Sequence, residues 1–585
     1  MPRKKKRKRR KLDSVQRALR RTQRQFRNRI QEVFSTAGFE VIPARGRQLS
    51  FLGRQGEFDS VFLFENLIVI AEDTCLRSSD EIYDHVLRKD MFYGHLRNNK
   101  DAFVDYLKET FPSVRAALRP EFEPSDVILV TLHCSKNRME DRHKKRFPDF
   151  LFLEDRNLRY FRALAATLGR SLRFELFKFF ALHAADIKIA SGQPNTTFQG
   201  FLLPESPSGF PTGYKIATFY VDPETLISLS YVLRKDGWSD SERLYQRMIS
   251  RRKIRSMRQY LAQDARVFIN NVIVSLPATT RLVDASNNTV DPARVTRTEP
   301  VGVQLVNEFN TVGIIDGQHR VFAYHEGSDK FEAKIAPKRR KQQLLVTGVI
   351  YPSSVTEEQQ REFEARLFLE INDKQTRTRP GLRQAIEAVV NPFSIIAIAR
   401  VVVNRLAADG PLCGVLEEDQ FDVGKLKTSS IVSYGLRHIV KPEGDDTLFK
   451  LWTHSEKPAV KLAIIAASND EKIVNPPARV VLDDYLTFCT REVNRMLIGY
   501  KKFIPKELWT FDRKTSRALT TTAINGLVFC LRRLIQEGKT ATSSDNYEAG
   551  LTKSGIRFTP DKFKYKSSHW RDLGETIARK GFLSS

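Results

Sequence analysis

The residues best suited to chemistry lie in one short stretch of the chain, TVGIIDGQHRVFAYHEG, at residues 311–327. Within it, the apolar run from Val312 to Ile315 predicts a buried strand. The pair Asp316-Gly317 predicts a tight turn, and the residues that follow predict the start of a helix. Backbone N–H groups at such a helix start lack partners and readily bind phosphates or carboxylates. We therefore expect an anion site here that includes Gln318, His319 and Arg320.

This strand, turn and helix resembles the name-giving motif of the DGQHR-domain family, which includes DndB-type proteins associated with DNA phosphorothioation and related DNA-modification clusters. The resemblance covers about residues 198 to 390. It includes Tyr245-Gln246-Arg247 on a preceding helix, the strand LLVTGVIY after the motif, and FLEINDKQTRT after a further helix. The order of these segments, rather than the pentapeptide alone, makes the resemblance strong.

The resemblance implies a core similar to ParB and sulfiredoxin, in which the corresponding motif binds nucleotide phosphates. It implies that Asp316 shapes the turn, that Gly317 permits close approach of a phosphate, and that Gln318, His319 and Arg320 face the phosphates. Arg320 offers two parallel N–H donors to phosphate oxygens, and His319 can donate a hydrogen bond or move a proton near neutral pH. We expect ATP or a related nucleotide to bind, with hydrolysis resting on Asp316, His319 and Arg320.

Asn372 and Gln375, in the FLEINDKQTRT segment, are candidates for the opposite side of this nucleotide site. An alternative reading makes Asn372 a helix-capping residue and Gln375 a surface residue. The alternative for His319 and Arg320 is a structural role in which they connect the turn to the helix. We favour ligand binding over this alternative.

A second candidate site lies near the amino terminus, where two apolar strands, Val61 to Phe64 and Leu67 to Ala71, are joined by a tight turn. Asp59 enters the first strand and Glu72 leaves the second. Because strand side chains alternate, Glu72 and Thr74 share one face. Two carboxylates that converge across a hairpin suit Mg²⁺, which prefers hard oxygen ligands and supports phosphodiester hydrolysis. We therefore expect Asp59 and Glu72 as metal ligands.

This hairpin and the helix before it resemble the restriction-endonuclease-like core, in which Glu32, Asp59 and Glu72 match the acidic positions of that superfamily. Thr74 stands where the family has a lysine, and a threonine supplies no positive charge to the transition state. Arg77 or Lys89 could fill that role instead. Two alternatives stay open, a metal-dependent DNA nuclease and a nuclease-like scaffold that has lost its activity, and we favour the second slightly.

Positive charge dominates the chain, which carries 96 Lys and Arg against 69 Asp and Glu, a net charge of +27. About half of the excess lies in residues 1–30, which hold fifteen Lys or Arg and one acid, Asp13. This basic run continues into a predicted helix from Val15 to Phe34, which favours a DNA-binding arm over a merely solvated tail. The run also fits a nuclear-import signal if the host is eukaryotic. The expected DNA contacts are Arg3, Lys4, Lys5, Lys6, Arg7, Lys8, Arg9, Arg10 and Lys11.

The length of the chain predicts several domains, and the alternation of predicted strands and helices predicts an α/β multidomain protein. We expect a basic arm at 1–29, a restriction-endonuclease-like α/β domain at 30–190 and a Pro/Gly/Ser-rich linker at 191–213. A ParB/sulfiredoxin-like α+β DGQHR domain would follow at 214–390, and a mainly helical region at 391–585. No apolar run is long enough for a membrane span, and the five scattered cysteines indicate neither disulfides nor a zinc finger.

The sequence therefore predicts a cytoplasmic, nucleoid-associated protein of a bacterial DNA-modification or phage-defence cluster. It would bind double-stranded DNA, work with other proteins of that cluster, and bind a nucleotide at the DGQHR motif, with hydrolysis of that nucleotide left open. The competing functions are a metal-dependent nuclease and a regulator that binds DNA without catalysis.

Overall fold

The structure is a computed structural model that describes residues 14–188, 197–232, 248–264, 266–291, 295–372, 380–418, 422, 424–469, 471, 473 and 476–583. It is a mixed α/β protein in which about half of the described residues are helical. The chain divides into two compact units, one made of Met1–Gln193 with His325–Asp329 and the other of Pro194–Tyr324 with Lys330–Ser585.

The first unit consists of a mixed sheet with helices on it. Its elements are α1 (Ser14–Thr36), β1 (Glu40–Pro43), β2 (Leu49–Phe51), β3 (Arg54–Gly56), β4 (Ser60–Phe64), β5 (Leu67–Thr74), α2 (Ser79–Asn98), α3 (Lys100–Thr110), α4 (Pro112–Ala117), β6 (Ile128–Ser135), α5 (Asp141–Lys144), β7 (Leu151–Glu154), α6 (Asp155–Leu168) and α7 (Leu172–Phe179).

The main sheet of this unit has the order β1-β4-β5-β6-β7. The β1, β4 and β5 strands pair antiparallel, whereas β5 pairs parallel with β6, and β6 parallel with β7. All eight residues of the central strand β5 are buried, including the three polar residues at its carboxyl end. The two predicted apolar strands of the hairpin are confirmed as β4 and β5. A polar strand end at the centre of a sheet requires specific partners, because buried charges need compensation.

The second unit begins with an α/β region. Its elements are β8 (Thr197–Leu203), α8 (Glu205–Ser208), β9 (Lys215–Val221), α9 (Pro223–Leu229), β10 (Ser230–Tyr231), α10 (Arg251–Gln263), β11 (Val272–Leu276), β12 (Arg281–Val283), β13 (Glu299–Gln304), β14 (Val312–Asp316), α11 (Gln318–Phe322), α12 (Glu332–Lys341), β15 (Leu344–Ile350), α13 (Glu357–Asn372) and α14 (Pro380–Val390).

These strands form one sheet with the order β10-β14-β11-β15-β9-β8-β13-β12. The β14 strand lies inside the sheet, parallel to β10 and antiparallel to β11. The prediction of a linker at 191–213 was wrong for residues 197–203, which form β8 between β9 and β13. Prolines in that stretch lie outside the strand or at its end, and Phe198 and Leu202 on one face of it are buried.

Helices make up most of the rest of the second unit. The elements are α15 (Ile395–Ala408), β16 (Leu416–Glu417), β17 (Leu426–Lys427), α16 (Thr428–Ile431), α17 (Arg437–Ile439), α18 (Leu448–Leu451), α19 (Lys457–Ser468), α20 (Arg479–Phe503), α21 (Thr521–Gln536), α22 (Ser544–Ser554) and α23 (Trp570–Ile577), with π-helical segments at Val432–Leu436 and Ala578–Leu583. Their apolar faces form one continuous core around the buried Trp452.

No single helix in the described ranges is long and apolar enough to cross a membrane. One bent pair, α14 with α15 at an angle of 104°, passes the same test of length and composition. Most residues of α15 pack into the helical core of the second unit.

A fully buried arginine ties three elements of the α/β region together. Arg258 of α10 donates through Nη1 to the carbonyl oxygen of Ala323 (3.0 Å) and through Nη2 to Oε2 of Glu332 in α12 (2.9 Å). Its exposed fraction is 0%. A guanidinium without water must satisfy its donors inside the protein, so α10 is held against the helices that follow the DGQHR motif.

Replacing this arginine should destabilise the second unit. We expect Arg258→Met to lower the free energy of unfolding by about 2 to 3 kcal/mol, because the Ala323 carbonyl loses a donor while Glu332 keeps Arg339. All four tryptophans lie in this unit, so urea unfolding followed by tryptophan fluorescence reports on it. The exposed Arg255→Met on the same helix is the matched control, and an equal effect of both changes would contradict this role.

Candidate functional site

Two buried carboxylates of the first unit share one arginine. Nη2 of Arg27, on α1, donates to Oδ1 of Asp59 and to Oδ1 of Asp73, each at 2.8 Å, and its Nε donates to Oδ2 of Asp73. The backbone N–H of Asp73 donates to Oδ2 of Asp59 (3.0 Å). The three side chains are 4 to 13% exposed. The guanidinium therefore holds together two carboxylates that would otherwise repel each other.

The structure corrects the expected pairing of Asp59 with Glu72. Glu72 contacts side chains of α2 instead: its Oε1 lies 3.0 Å from Nζ of Lys89 and 3.5 Å from Nε2 of His85, and Tyr93 donates to its Oε2 (3.5 Å). Alternation along β5 turns Asp73 to the face opposite Glu72. The alternation itself was predicted, but which face meets α1 depends on how the helices pack.

Glu32, which matches the helix-borne acid of the nuclease superfamily, also lies away from the two aspartates. Its side chain is 59% exposed and pairs with Arg162 (3.2 Å). The face of α1 that meets the strands carries Arg27 and, one turn later, Gln31, whose Nε2 donates to Oγ of Ser60 (3.2 Å). A cation thus stands on the helix where the superfamily pattern has an acid.

Burial and the neighbouring Asp59 raise the pKa of Asp73 to about 7, against the lowering effect of Arg27. Throughout the described residues, no group of three or more His, Cys, Asp or Glu side chains could hold a metal ion. Because Arg27 occupies the space between the Asp59 and Asp73 carboxylates with its own hydrogen bonds, these residues do not fit Mg²⁺ in this arrangement.

Behind Glu72 lies a polar chain that the sequence did not predict. Nδ1 of His85 is 3.2 Å from Nε2 of His133 on β6, and His133 is 1% exposed. Burial, with the charges of His85 and Lys89, lowers the pKa of His133 to about 3, so this ring is neutral. The spacing of His85, Lys89 and Tyr93 by four residues on one helix was the available signal. This network compensates the buried Glu72.

The DGQHR stretch forms the predicted strand, turn and helix. β14 ends at Asp316, Gly317 has a φ of +98°, and α11 begins at Gln318. Nη2 of Arg320 donates to Oδ2 of Asp316 (2.8 Å) and to the carbonyl oxygen of Asn271 (2.7 Å). A Cβ on Gly317 would lie 2.9 Å from Nη2 of Arg320, so the turn needs glycine for both its backbone conformation and its space.

His319 faces the start of the neighbouring helix α10. Its Nε2 accepts a hydrogen bond from the backbone N–H of Ser250 (3.0 Å), the residue that caps this helix. The first turn of α10 carries the exposed cations Arg251, Arg252 and Lys253 and no acid. Nε of Arg320 is buried and has no hydrogen-bond partner. The turn is therefore braced from inside, as in the alternative reading, yet it lies beside a strongly basic helix start.

Several predicted site residues cannot be placed. Arg3 to Lys11, Tyr245-Gln246-Arg247 and Gln375 lie outside the described residues, and only the backbone of Asn372 is described, at the end of α13.

Between residues 17 and 25 no side chain of α1 is buried, and most are exposed. Phe26 is the first fully buried residue, and Arg20, Arg21 and Arg24 before it are all exposed. No acid occurs between Ser14 and Gln31. Arg20 and Arg24 are four residues apart on the helix, and like charges at this spacing repel each other, so an anion bound beside them would stabilise this part of α1.

Comparison with models of known protein families, with curated proteins and with solved structures found no match for this chain. The resemblances to the DGQHR-domain family and to the restriction-endonuclease-like core therefore stay predictions from the sequence. The geometry of α1, of the aspartate pair and of the DGQHR turn carries the functional argument.

The raised pKa of Asp73 predicts how stability depends on pH. Because the folded pKa of about 7 lies above the ordinary 3.8, the folded state binds this proton more tightly than the unfolded chain. The resulting stabilisation is complete below about pH 4 and is lost as the pH rises to 7, by up to about 1.4 kcal/mol per pH unit.

Asp73→Asn should remove this dependence. Hydrogen exchange of β5 amides, compared at the same pH between pH 5 and 7.5, should show the wild type losing protection relative to the variant as the pH rises. Asp101→Asn, an exposed aspartate of the same unit, should behave as the wild type. A difference between wild type and Asp73→Asn that does not change with pH would contradict the assignment.

Proposed function

We propose that this chain binds double-stranded DNA through α1 and the basic segment before it, and that its first unit holds DNA without cutting it. The observation that carries the proposal is the exposed, acid-free amino-terminal half of α1. Arginines spaced by one turn on an exposed helix repel each other and are stabilised by a polyanion, and phosphates are the ligands that arginine forks bind best. DNA binding would supply such a ligand for Arg20, Arg21 and Arg24.

The order of elements in the first unit supports a likeness to the restriction-endonuclease-like core. A helix is followed by the antiparallel strands β1, β4 and β5, then by α2 and by β6 parallel to β5. Proteins with such a core bind duplex DNA against the sheet end that carries the acids. Here that end belongs to Asp59 and Asp73, and Arg27 from the DNA-binding helix reaches it directly.

The same site supports binding without cleavage over the competing nuclease function. Arg27 supplies one positive charge to the two aspartates where a nuclease would use a divalent cation. On the face of Asp73 the residue two positions later is Cys75, whose thiol has a pKa raised by burial and supplies no positive charge. Lys89, the expected substitute, pairs with Glu72 on the other face.

Replacing Arg20, Arg21 and Arg24 together with Gln should weaken binding to any duplex. Each lost phosphate contact removes about 0.9 from the slope of log K against log salt, so the slope should fall by about 2 to 3. Fluorescence anisotropy of a labelled duplex, recorded at salt concentrations from about 50 to about 200 mM, measures this slope.

The matched control changes three exposed arginines of the second unit, Arg297, Arg383 and Arg491, to Gln and should leave the slope unchanged. Equal slopes for wild type and the α1 variant would contradict the proposal. Mg²⁺-dependent cutting of plasmid that is lost in Asp73→Ala would establish the nuclease instead.

A second candidate function is nucleotide binding at the DGQHR turn, in line with the family resemblance. It is favoured by the buried Nε of Arg320, a donor without a partner, next to the basic start of α10. A bound phosphate would accept from this Nε and from the cations of α10, while Asp316 and Asn271 keep the guanidinium in place. His319 would contribute from the other side of the turn. Hydrolysis would require His319 or Asp316 to position a water molecule.

His319→Gln keeps a neutral polar side chain but removes the imidazole ring. Arg320→Lys keeps the positive charge but removes the guanidinium group. We expect the double variant to bind a fluorescent ATP analogue at least about tenfold more weakly, because a charge-assisted hydrogen bond is worth about 1.5 kcal/mol or more. Arg297→Gln, on an exposed edge of the same unit, is the control. Unchanged affinity of the double variant would limit these residues to bracing the turn.

These properties fit a protein of a bacterial DNA-modification or defence cluster, working on the nucleoid with other proteins of that cluster. A eukaryotic host would place the same activity in the nucleus.

A further inference from the structure

A cavity of about 380 Å³ opens among the helices of the second unit, away from the DGQHR turn. Its walls come from the end of α14, the start of α15, the segment after α16 and the end of α19. Charged side chains at the cavity are Glu387 from α14 and the pair Arg437 and Lys441, with His438 between them. Ile395 and Ile396 supply an apolar wall.

A π-helical segment positions the cationic side of this cavity. It spans Val432–Leu436 and ends directly before Arg437. Such segments are rare and occur frequently at functional sites, because they cost helix hydrogen bonding and re-aim the residues beside them. Within the segment, a Cβ on Gly435 would lie 2.6 Å from Oδ1 of Asn525, which has no hydrogen-bond partner.

Hydrogen bonds from a neighbouring helix hold this segment. Nε2 of Gln384, on α14, donates to Oγ of Ser433 (3.0 Å) and to the carbonyl oxygen of Ser429 (3.2 Å). The same helix, one turn later, contributes Glu387 to the cavity. The wall is thus a packed and specific arrangement, rather than a gap between loosely placed helices.

Positive charge at the cavity exceeds the negative charge that faces it. Among the described residues that line the cavity, Glu387 is the one acid, against Arg437 and Lys441. Behind the wall, Asp446 is shared by Lys441 at 3.9 Å and by Arg532. Burial, together with the nearby charges of Arg437, Arg532, Arg571 and Lys441, lowers the pKa of His438 to about 4. His438 is therefore neutral, and its Nε2 accepts from Nε of Arg437 (3.3 Å).

We propose that this cavity binds a small organic phosphate, with Arg437 and Lys441 on the phosphate and Ile395 and Ile396 against the body of the ligand. The hydrogen bond from Nε of Arg437 to His438 orients the guanidinium. The Nη1 and Nη2 groups of the same guanidinium can then donate to phosphate oxygens. The first turn of α15 carries no acid, which favours an anion at the same wall. The volume suits a ligand of nucleoside monophosphate size. This site is independent of α1 and of the DGQHR turn.

Titration of the full chain with AMP, inorganic phosphate and adenosine by isothermal calorimetry tests the proposal. The wild type should bind AMP more tightly than inorganic phosphate, and adenosine should bind at least about tenfold more weakly than AMP because the charge-assisted contacts are lost. The double variant Arg437→Gln with Lys441→Gln should lose at least about tenfold in affinity for AMP. Arg491→Gln, an exposed arginine of α20, should bind as the wild type does.

Glu387→Gln keeps the proposal falsifiable if the double variant folds poorly. Removing the only acid of the wall should strengthen AMP binding, on the order of two- to fivefold, and misfolding would not produce such a gain. Equal affinity for AMP and adenosine would overturn the proposal, as would wild-type affinity in both cavity variants. Loss of AMP binding in His319→Gln with Arg320→Lys but not in the cavity variants would move the site to the DGQHR turn and overturn it equally.

Discussion

The contact between Arg27 and the two aspartates connects the main features of the first unit. Asp59 and Asp73 lie at the buried end of the central hairpin, where two carboxylates without a cation would destabilise the fold by several kcal/mol. Arg27 supplies that cation from α1, which also carries the exposed arginines. The same helix is thereby fixed to the sheet at one end and presented to solvent at the other. The helix that we propose to bind DNA is thus attached to the sheet through the pair of aspartates.

Internal arginines play a comparable part in the second unit. Arg320 closes the DGQHR turn on Asp316, and Arg258 joins α10 to the helices beyond the motif. In both cases a planar guanidinium satisfies carbonyl and carboxylate acceptors of different elements at once, which a lysine could not do with the same geometry. Part of the high arginine content is thus structural. The exposed cations of α1, of the start of α10 and of the cavity beside Arg437 are those to which we assign anionic ligands.

Local features were predictable from the sequence where one element decided them. The β4–β5 hairpin and the strand, turn and helix around Gly317 follow from short apolar runs and from turn residues. The partners of the polar side chains were not predictable in the same way. Glu72 and Asp73 are neighbours in the chain, and only the packing of α1 and α2 decides which of them joins Asp59. The strand β8, between β9 and β13, was also missed, because prolines near it suggested a linker.

The sequence by itself determined which chemical groups are present and on which local elements they lie. These are a basic amino-terminal helix, two acids at the ends of adjacent strands, and a glycine turn followed by a histidine and an arginine. Tertiary structure decided which partners these groups meet, since it turned Arg27 toward both aspartates, turned Glu72 toward Lys89, and placed Arg437 and Lys441 at the same cavity as Ile395 and Ile396. The physical reason is that hydrophobic periodicity specifies each element locally, whereas a buried charge is satisfied by residues distant in the chain, whose approach depends on the packing of the whole core.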